Sequence, residues 1–180
     1  MTVMITATYG EASPALPPLL VTLTLDTVSQ HRFDELRRAH FPPERNHLAA
    51  HVTLFHHLPG VSEEAVHAAS ARASRRAPFE LHVTDVAAVG QGVAYTLESS
   101  ELMELHSQLT AAWAPLLTRQ DRRPFWPHIT VQNKVSPERA ATLLAELRAN
   151  FTPQTVIAAG LQLWHYLGGP WEPVRRFPFH

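Results

Sequence analysis

His51-Val52-Thr53-Leu54 and His128-Ile129-Thr130-Val131 repeat one pattern: histidine, aliphatic, threonine, aliphatic. Each sits in a β-branched run of the kind that forms a strand. Side chains at i and i+2 of a strand share a face, so each copy sets an imidazole beside a hydroxyl and sends its aliphatic residues to the other side. Two such units facing each other across a cleft supply two imidazoles that titrate near neutrality, one to take a proton and one to give it. The two hydroxyls would hold an anion. One copy alone carries little weight, because the chain has 12 histidines and contains a near miss, His82-Val83-Thr84-Asp85, that ends on a charge.

Outward from the motifs, strands and helices alternate. Strands are expected at residues 19–25, 50–58, 79–89, 93–98, 128–135, 155–166 and 174–179. Helices are expected at 29–40 with Ser29 as cap, at 62–76, at 100–117, and at 136–149, where Ser136 caps and Pro137 occupies the first turn. Gly90-Gln91-Gly92 reads as a hairpin connection, and Pro42-Pro43 stops the first helix. Each half of the chain contains a helix, a His-x-Thr strand, a serine-initiated helix and two strands. The expected fold is therefore α+β and two-lobed, a pseudo-twofold duplication in which each lobe is an antiparallel sheet with helices outside and a central cleft between. Residues 1–18, with Gly10, Pro14, Pro17 and Pro18, read as an extended or mobile lead-in, and residues 19–180 as a single two-lobed domain.

Composition narrows the function. At 180 residues the chain is long enough to bury a core, and 45% hydrophobic with 17% charged residues is ordinary for a globular protein. A formal charge of −1 gives no general attraction to a duplex, so tight binding of duplex DNA is not expected. A small or terminal phosphate needs only a local positive pocket. The absence of cysteine removes disulfides, thiolate nucleophiles and cysteine-ligated zinc, and agrees with a cytoplasmic location. The first residues lack the basic start and apolar core of a signal peptide, and no apolar run is long enough to span a bilayer.

The motif pair resembles that of the two-histidine (2H) phosphoesterases, whose bacterial members are often called 2′-5′ RNA ligase-like proteins. That family carries two His-x-Thr/Ser-x motifs in a two-lobed α+β fold and favours an aromatic residue and proline before the second histidine, as in Phe125-Trp126-Pro127. The resemblance covers roughly residues 19–179. It implies a metal-independent phosphodiesterase without a cofactor, acting on 2′,3′-cyclic or related nucleotide or RNA phosphodiesters. His51 and His128 would be general acid and base, with Thr53 and Thr130 on the non-bridging oxygens. Several RNA-acting relatives have an arginine just after the second motif, where this chain reads Gln132-Asn133-Lys134.

The remaining candidates surround the motifs. Lys134 is in phase with His128 and Thr130 on an ideal strand, and Arg122 and Arg123 stand close upstream as phosphate contacts or as a solvated loop. Phe55, Phe125 and Trp126 are base-stacking candidates whose alternative role is packing; Trp126 is the leading one. On a regular strand His57 shares the face of His51 and His56 takes the other, but no carboxylate at ligand spacing accompanies them, so no metal is expected. His31, His40, His67, His106 and His165 read as surface or packing residues. The rivals are reversible joining or opening of a 2′-5′ RNA linkage, a non-catalytic binder of nucleotides or RNA ends, and a metal-dependent hydrolase.

Overall fold

The computed structural model describes residues 16–180; the expected lead-in lies, over residues 1–15, outside the described residues. The elements are β1 (Leu19–Leu25), α1 (Thr27–His40), β2 (Val52–Leu58), α2 (Glu63–Ala73), β3 (Phe79–Val89), β4 (Gly92–Glu98), α3 (Ser100–Ala112), β5 (His128–Gln132), α4 (Pro137–Ala149), β6 (Gln154–Tyr166) and β7 (Trp171–Pro178).

Local chemistry sets the helix ends. Asp26, not Ser29, caps α1: its Oδ1 accepts from the amides of Val28 (3.0 Å) and Ser29 (3.1 Å). Its Oδ2 accepts from Ile157 N at 3.1 Å, which ties the helix start to β6. Ser99 caps α3 and Ser136 caps α4, each accepting from the amide three residues on. α3 stops at Ala112, short of the expected 117, and a 3₁₀ turn at Ala114–Leu116 follows with Pro115 inside it. α2 likewise ends at Ala73 rather than 76.

The strands form one antiparallel sheet in the order β2-β1-β6-β3-β4-β5, with β7 also paired to β6. The 13-residue β6 makes this possible. One of its edges pairs with β1; along the other, β3 takes residues 154–158 and β7 takes 160–166. The expected antiparallel α+β architecture is present, as a single sheet whose two halves, β7-β6-β1-β2 and β6-β3-β4-β5, share β6. The motif strands β2 and β5 are the outermost strands of those halves, and they approach each other.

Bulges decide which side chains reach which face. Thr53 lies opposite Thr22, but Phe55 lies opposite Val21, so Leu54 is an extra residue in β2. The same event recurs in β5, where Thr130 opposes Ala94 and Gln132 opposes Val93, leaving Val131 extra. A third, at Ala159, lets Ala158 and Leu161 share the face of Leu25 and Leu23. Each bulge inverts the alternation after it. Thus Phe55 and Gln132 turn away from the face of the preceding threonine and are buried. All four helices add to one apolar cluster against the sheet: Phe33 from α1, Val66 from α2, Leu102, Leu105 and Leu109 from α3, and Leu143 from α4. No helix among the described residues is long and apolar enough to cross a membrane.

Two substitutions test this frame by urea unfolding. Asp26→Ala removes the α1 cap and the tie to Ile157 and should cost about 1–2 kcal/mol. Gly92→Ala would place its Cβ against the Gln132 carbonyl and 2.6 Å from Asn133 Cα. That backbone cannot give way locally, so a loss of roughly 1–3 kcal/mol is expected, and an unchanged midpoint would refute the close approach.

Candidate active site

The approach to the first motif is held by one face of α1. Asp34 Oδ1 accepts from Ala50 N at 2.6 Å, and Gln30 Nε2 donates to Ala50 O at 2.8 Å and to Asp34 Oδ1 at 3.0 Å. Arg37, seven residues from Gln30 and so on the same helical face, completes the set. Its Nε donates to Asn46 Oδ1 and Leu48 O, both at 3.2 Å, and its Nη1 donates to Thr130 O at 2.7 Å. One guanidinium therefore joins the run-in to His51 with the second motif.

The two motif histidines are anchored alike. His51 Nδ1 is 2.7 Å from Ala49 O, and His128 Nδ1 is 2.7 Å from Trp126 O. A carbonyl only accepts, so in each ring Nδ1 carries the proton and Nε2 keeps its lone pair. Each ring also lies against an indole: Trp171 at 5.0 Å for His51 and Trp126 at 4.7 Å for His128. Val52, Leu54, Ile129 and Val131 point into the core, as expected, and Thr53 and Thr130 are half-buried on the opposite side.

Burial pushes the His51 imidazole down to about 4; the Ala49 carbonyl opposes this, while the charges of Arg37, His128 and His56 add to it. Burial also lowers His128, against the Trp126 carbonyl, and the charge of His56 contributes. His56 thus bears on both rings. It is the bulge in β2 that puts His56, rather than the expected His57, on the side of His51. Asp121 holds that stretch: Oδ1 accepts from His56 N (2.7 Å) and lies 3.3 Å from His56 Nδ1, and Oδ2 accepts from His57 N (3.1 Å). Burial alone would raise the Asp121 carboxyl, but these bonds outweigh it and keep it below the usual carboxylate value.

The structure brings β2 and β5 together with His51 and His128 close enough for their charges to interact and with Thr53 and Thr130 two residues along from each, and Trp126 packs on His128 while 45% exposed. The other expected contacts fall elsewhere. Phe55 is fully buried, packed on Trp113 and stacked on His106, so it is a core residue and not a substrate contact. Phe125 stacks on the other face of His106 at 3.9 Å, which makes His106 the middle of a three-ring stack. Arg122 is spent on carbonyls, with Nε to Leu117 O and Nη2 to Ala114 O, where it closes the turn after α3. Arg122, Arg123 and Phe125 line a separate groove beside α3 that includes neither motif histidine. Lys134 is not in phase with the motif: β5 ends at Gln132, and Lys134 adopts φ 59, with Asn133 Oδ1 accepting from its amide. Asn133 reaches the site instead, in a pocket of about 210 Å³ that also includes Arg37, Arg45, His47, His51 and Thr130. Sequence reasoning missed Arg37, Trp171 and Asn133. The only signal for Arg37 was an arginine on the apolar side of an amphipathic helix, in phase with Phe33.

Comparison with known proteins agrees with this arrangement. The 2′-5′ RNA ligase superfamily model matches residues 25–170. TT0787 of Thermus thermophilus has the same fold, with a TM-score of 0.62 at 16% identity over 90% of this chain and 97% of that one. E. coli LigT is similar in its apo form, with a TM-score of 0.60 at 21% identity over 91% and 98% of the two chains. The same protein complexed with 3′-AMP gives a TM-score of 0.58 at 20% identity with the same coverage. No curated protein matches the chain in sequence. With two His-x-Thr strands at the edges of one antiparallel sheet and the family match running across most of its length, the chain belongs to the 2′-5′ RNA ligase superfamily.

Proposed function

We propose that the protein is a metal-independent phosphodiesterase that opens 2′,3′-cyclic phosphates of nucleotides or RNA ends. The observation that carries this reading is the matched anchoring of His51 and His128 through Nδ1, which leaves each Nε2 free for proton transfer. His51, held low by burial, is the base: Nε2 takes a proton from water as its oxygen attacks phosphorus. His128, protonated in the substrate complex, gives its Nε2 proton to the ribose oxygen as that P–O bond breaks. The products are a phosphomonoester and a free hydroxyl. Thr53 and Thr130 donate to the non-bridging oxygens, where charge accumulates. Trp126, exposed beside His128, offers a flat face for a nucleobase. The family match and the similarity in fold to a protein crystallised with 3′-AMP support a nucleotide substrate.

The four nucleoside 2′,3′-cyclic phosphates, incubated in the presence of chelator, test the reaction. Turnover by the parent should fall by roughly 10²–10⁴-fold in His51→Ala and in His128→Ala. Loss of parental activity in chelator, or survival in both variants, would refute the two-histidine reading.

The pH profiles carry a second expectation. Both imidazoles sit below the ordinary value of about 6.5 in the free protein, so the form with His128 protonated is lost as pH rises through a value below 6.5. A bound phosphate anion raises both values. The descending limb of kcat/KM should therefore lie at lower pH than that of kcat. Superimposable limbs would contradict the assignment.

A further inference from the structure

Arg37 is a buried charge with no direct ion-pair partner among the described residues. Only 5% of the residue is exposed, and its hydrogen bonds go to an amide oxygen and two backbone carbonyls, all neutral. Among the described residues no carboxylate pairs with it. The carboxylate that acts on it, Asp34, has its Oδ1 taken by Ala50 N and Gln30 Nε2. Burial pulls the guanidinium down to about 10. The Phe41 ring, 4.3 Å from Cζ, covers one face. A buried cation in this position is costly unless an anion completes it.

The pocket onto which Arg37 opens has room for one. Its wall carries Arg37, Arg45 and His47 and no carboxylate, and Asn133 adds a neutral polar group. Arg45 and His47 are exposed at its mouth, on the segment that leads to His51. About 210 Å³ suits a phosphate with part of a sugar better than a whole nucleotide. The pocket borders His51 and Thr130 but neither Thr53 nor His128, so it lies to one side of the point where the motifs converge.

We infer that this pocket binds a second phosphate of the substrate, separate from the one that reacts, and that it makes the protein selective for cyclic phosphates carrying a 5′-phosphate group. Arg37 is the fixed anion receptor, and Arg45 and His47 close over the same group. This inference rests on the phosphodiesterase reading above. A free 5′-phosphate and the linking phosphate of an RNA chain present the same chemistry to the pocket.

Three substrates separate these cases: adenosine 2′,3′-cyclic phosphate, its 5′-phosphorylated form, and a dinucleotide ending in a 2′,3′-cyclic phosphate. The parent should use the 5′-phosphorylated form with kcat/KM at least about tenfold above the unphosphorylated one. The ratio should fall toward one in Arg45→Gln with His47→Gln, both surface positions whose replacement leaves the buried Arg37 contacts in place. An equal gain with the dinucleotide assigns the pocket to RNA ends, and a gain confined to the monophosphate assigns it to free nucleotides. A ratio near one in the parent, or one that survives the double substitution, overturns the inference. Calorimetric binding of adenosine 3′,5′-bisphosphate against 3′-AMP reads the pocket independently of turnover. Tighter binding of the bisphosphate that is lost in the double variant supports the pocket even if no cyclic phosphate is cleaved, in which case only the phosphodiesterase reading fails. Equal binding of the two overturns the pocket.

Discussion

Arg37 makes the contact on which the geometry of the cleft depends. From α1 it reaches Leu48 O ahead of the first motif and Thr130 O inside the second, 93 positions away. Hydrogen bonds from a charged donor are worth roughly 1.5–3 kcal/mol each, more than a neutral pair. Without this crosslink the hydrogen-bonded path between the two edge strands would run through five strand pairings across the sheet. With it, one rigid planar group fixes their spacing directly. The helical face that carries Arg37 also carries Gln30 and Asp34, which grip the backbone at Ala50. About two turns of one helix thus position both motifs.

The second constraint is the β-bulge after each motif threonine. A regular strand would carry Phe55 and Gln132 on the same side as the imidazoles. The extra residues Leu54 and Val131 turn them inward, so each strand presents histidine and threonine to the cleft and then returns to the core. Phe55 then becomes an anchor, seated against Trp113 and His106. The bulge recurs at the same place in both motifs, and each imidazole also has the same kind of support, a carbonyl two residues upstream and an indole on its flank.

Much of this was legible in the sequence. The two motifs, the strands that hold them, the α+β class and the Ser136 cap follow from local patterns of period two, period 3.6 and capping chemistry. What was not legible depends on pairing between distant strands. Lys134 is in phase with the motif only on an ideal strand, and Phe55 is a stacking candidate only by its nearness to His51; the register shifts against β4 and β1 remove the first and turn the second into the core. Arg122 has the composition of a phosphate contact, but the unpaired carbonyls left by the early end of α3 claim it. Arg37 lies in the last turn of α1, where a basic residue is expected for the helix dipole alone, and its phase with Phe33 is the one local mark of its burial. Ser29 fits the local cap pattern, but Asp26 holds the position because its carboxylate reaches two helix amides and a strand amide at once.

β2 and β5 are both terminal strands, and a terminal strand normally offers a row of free amides and carbonyls on which a strand from another molecule can align. Here three of those groups are engaged by side chains. The Asp121 carboxylate takes the successive amides of His56 and His57 on β2, and Arg37 takes the Thr130 carbonyl on β5. The bulges bend both strands out of the flat geometry that a docking strand needs. The groups that hold the motif strands therefore also occupy part of each exposed edge, so a cleft built on two terminal strands offers a docking strand fewer free backbone partners than its topology alone would.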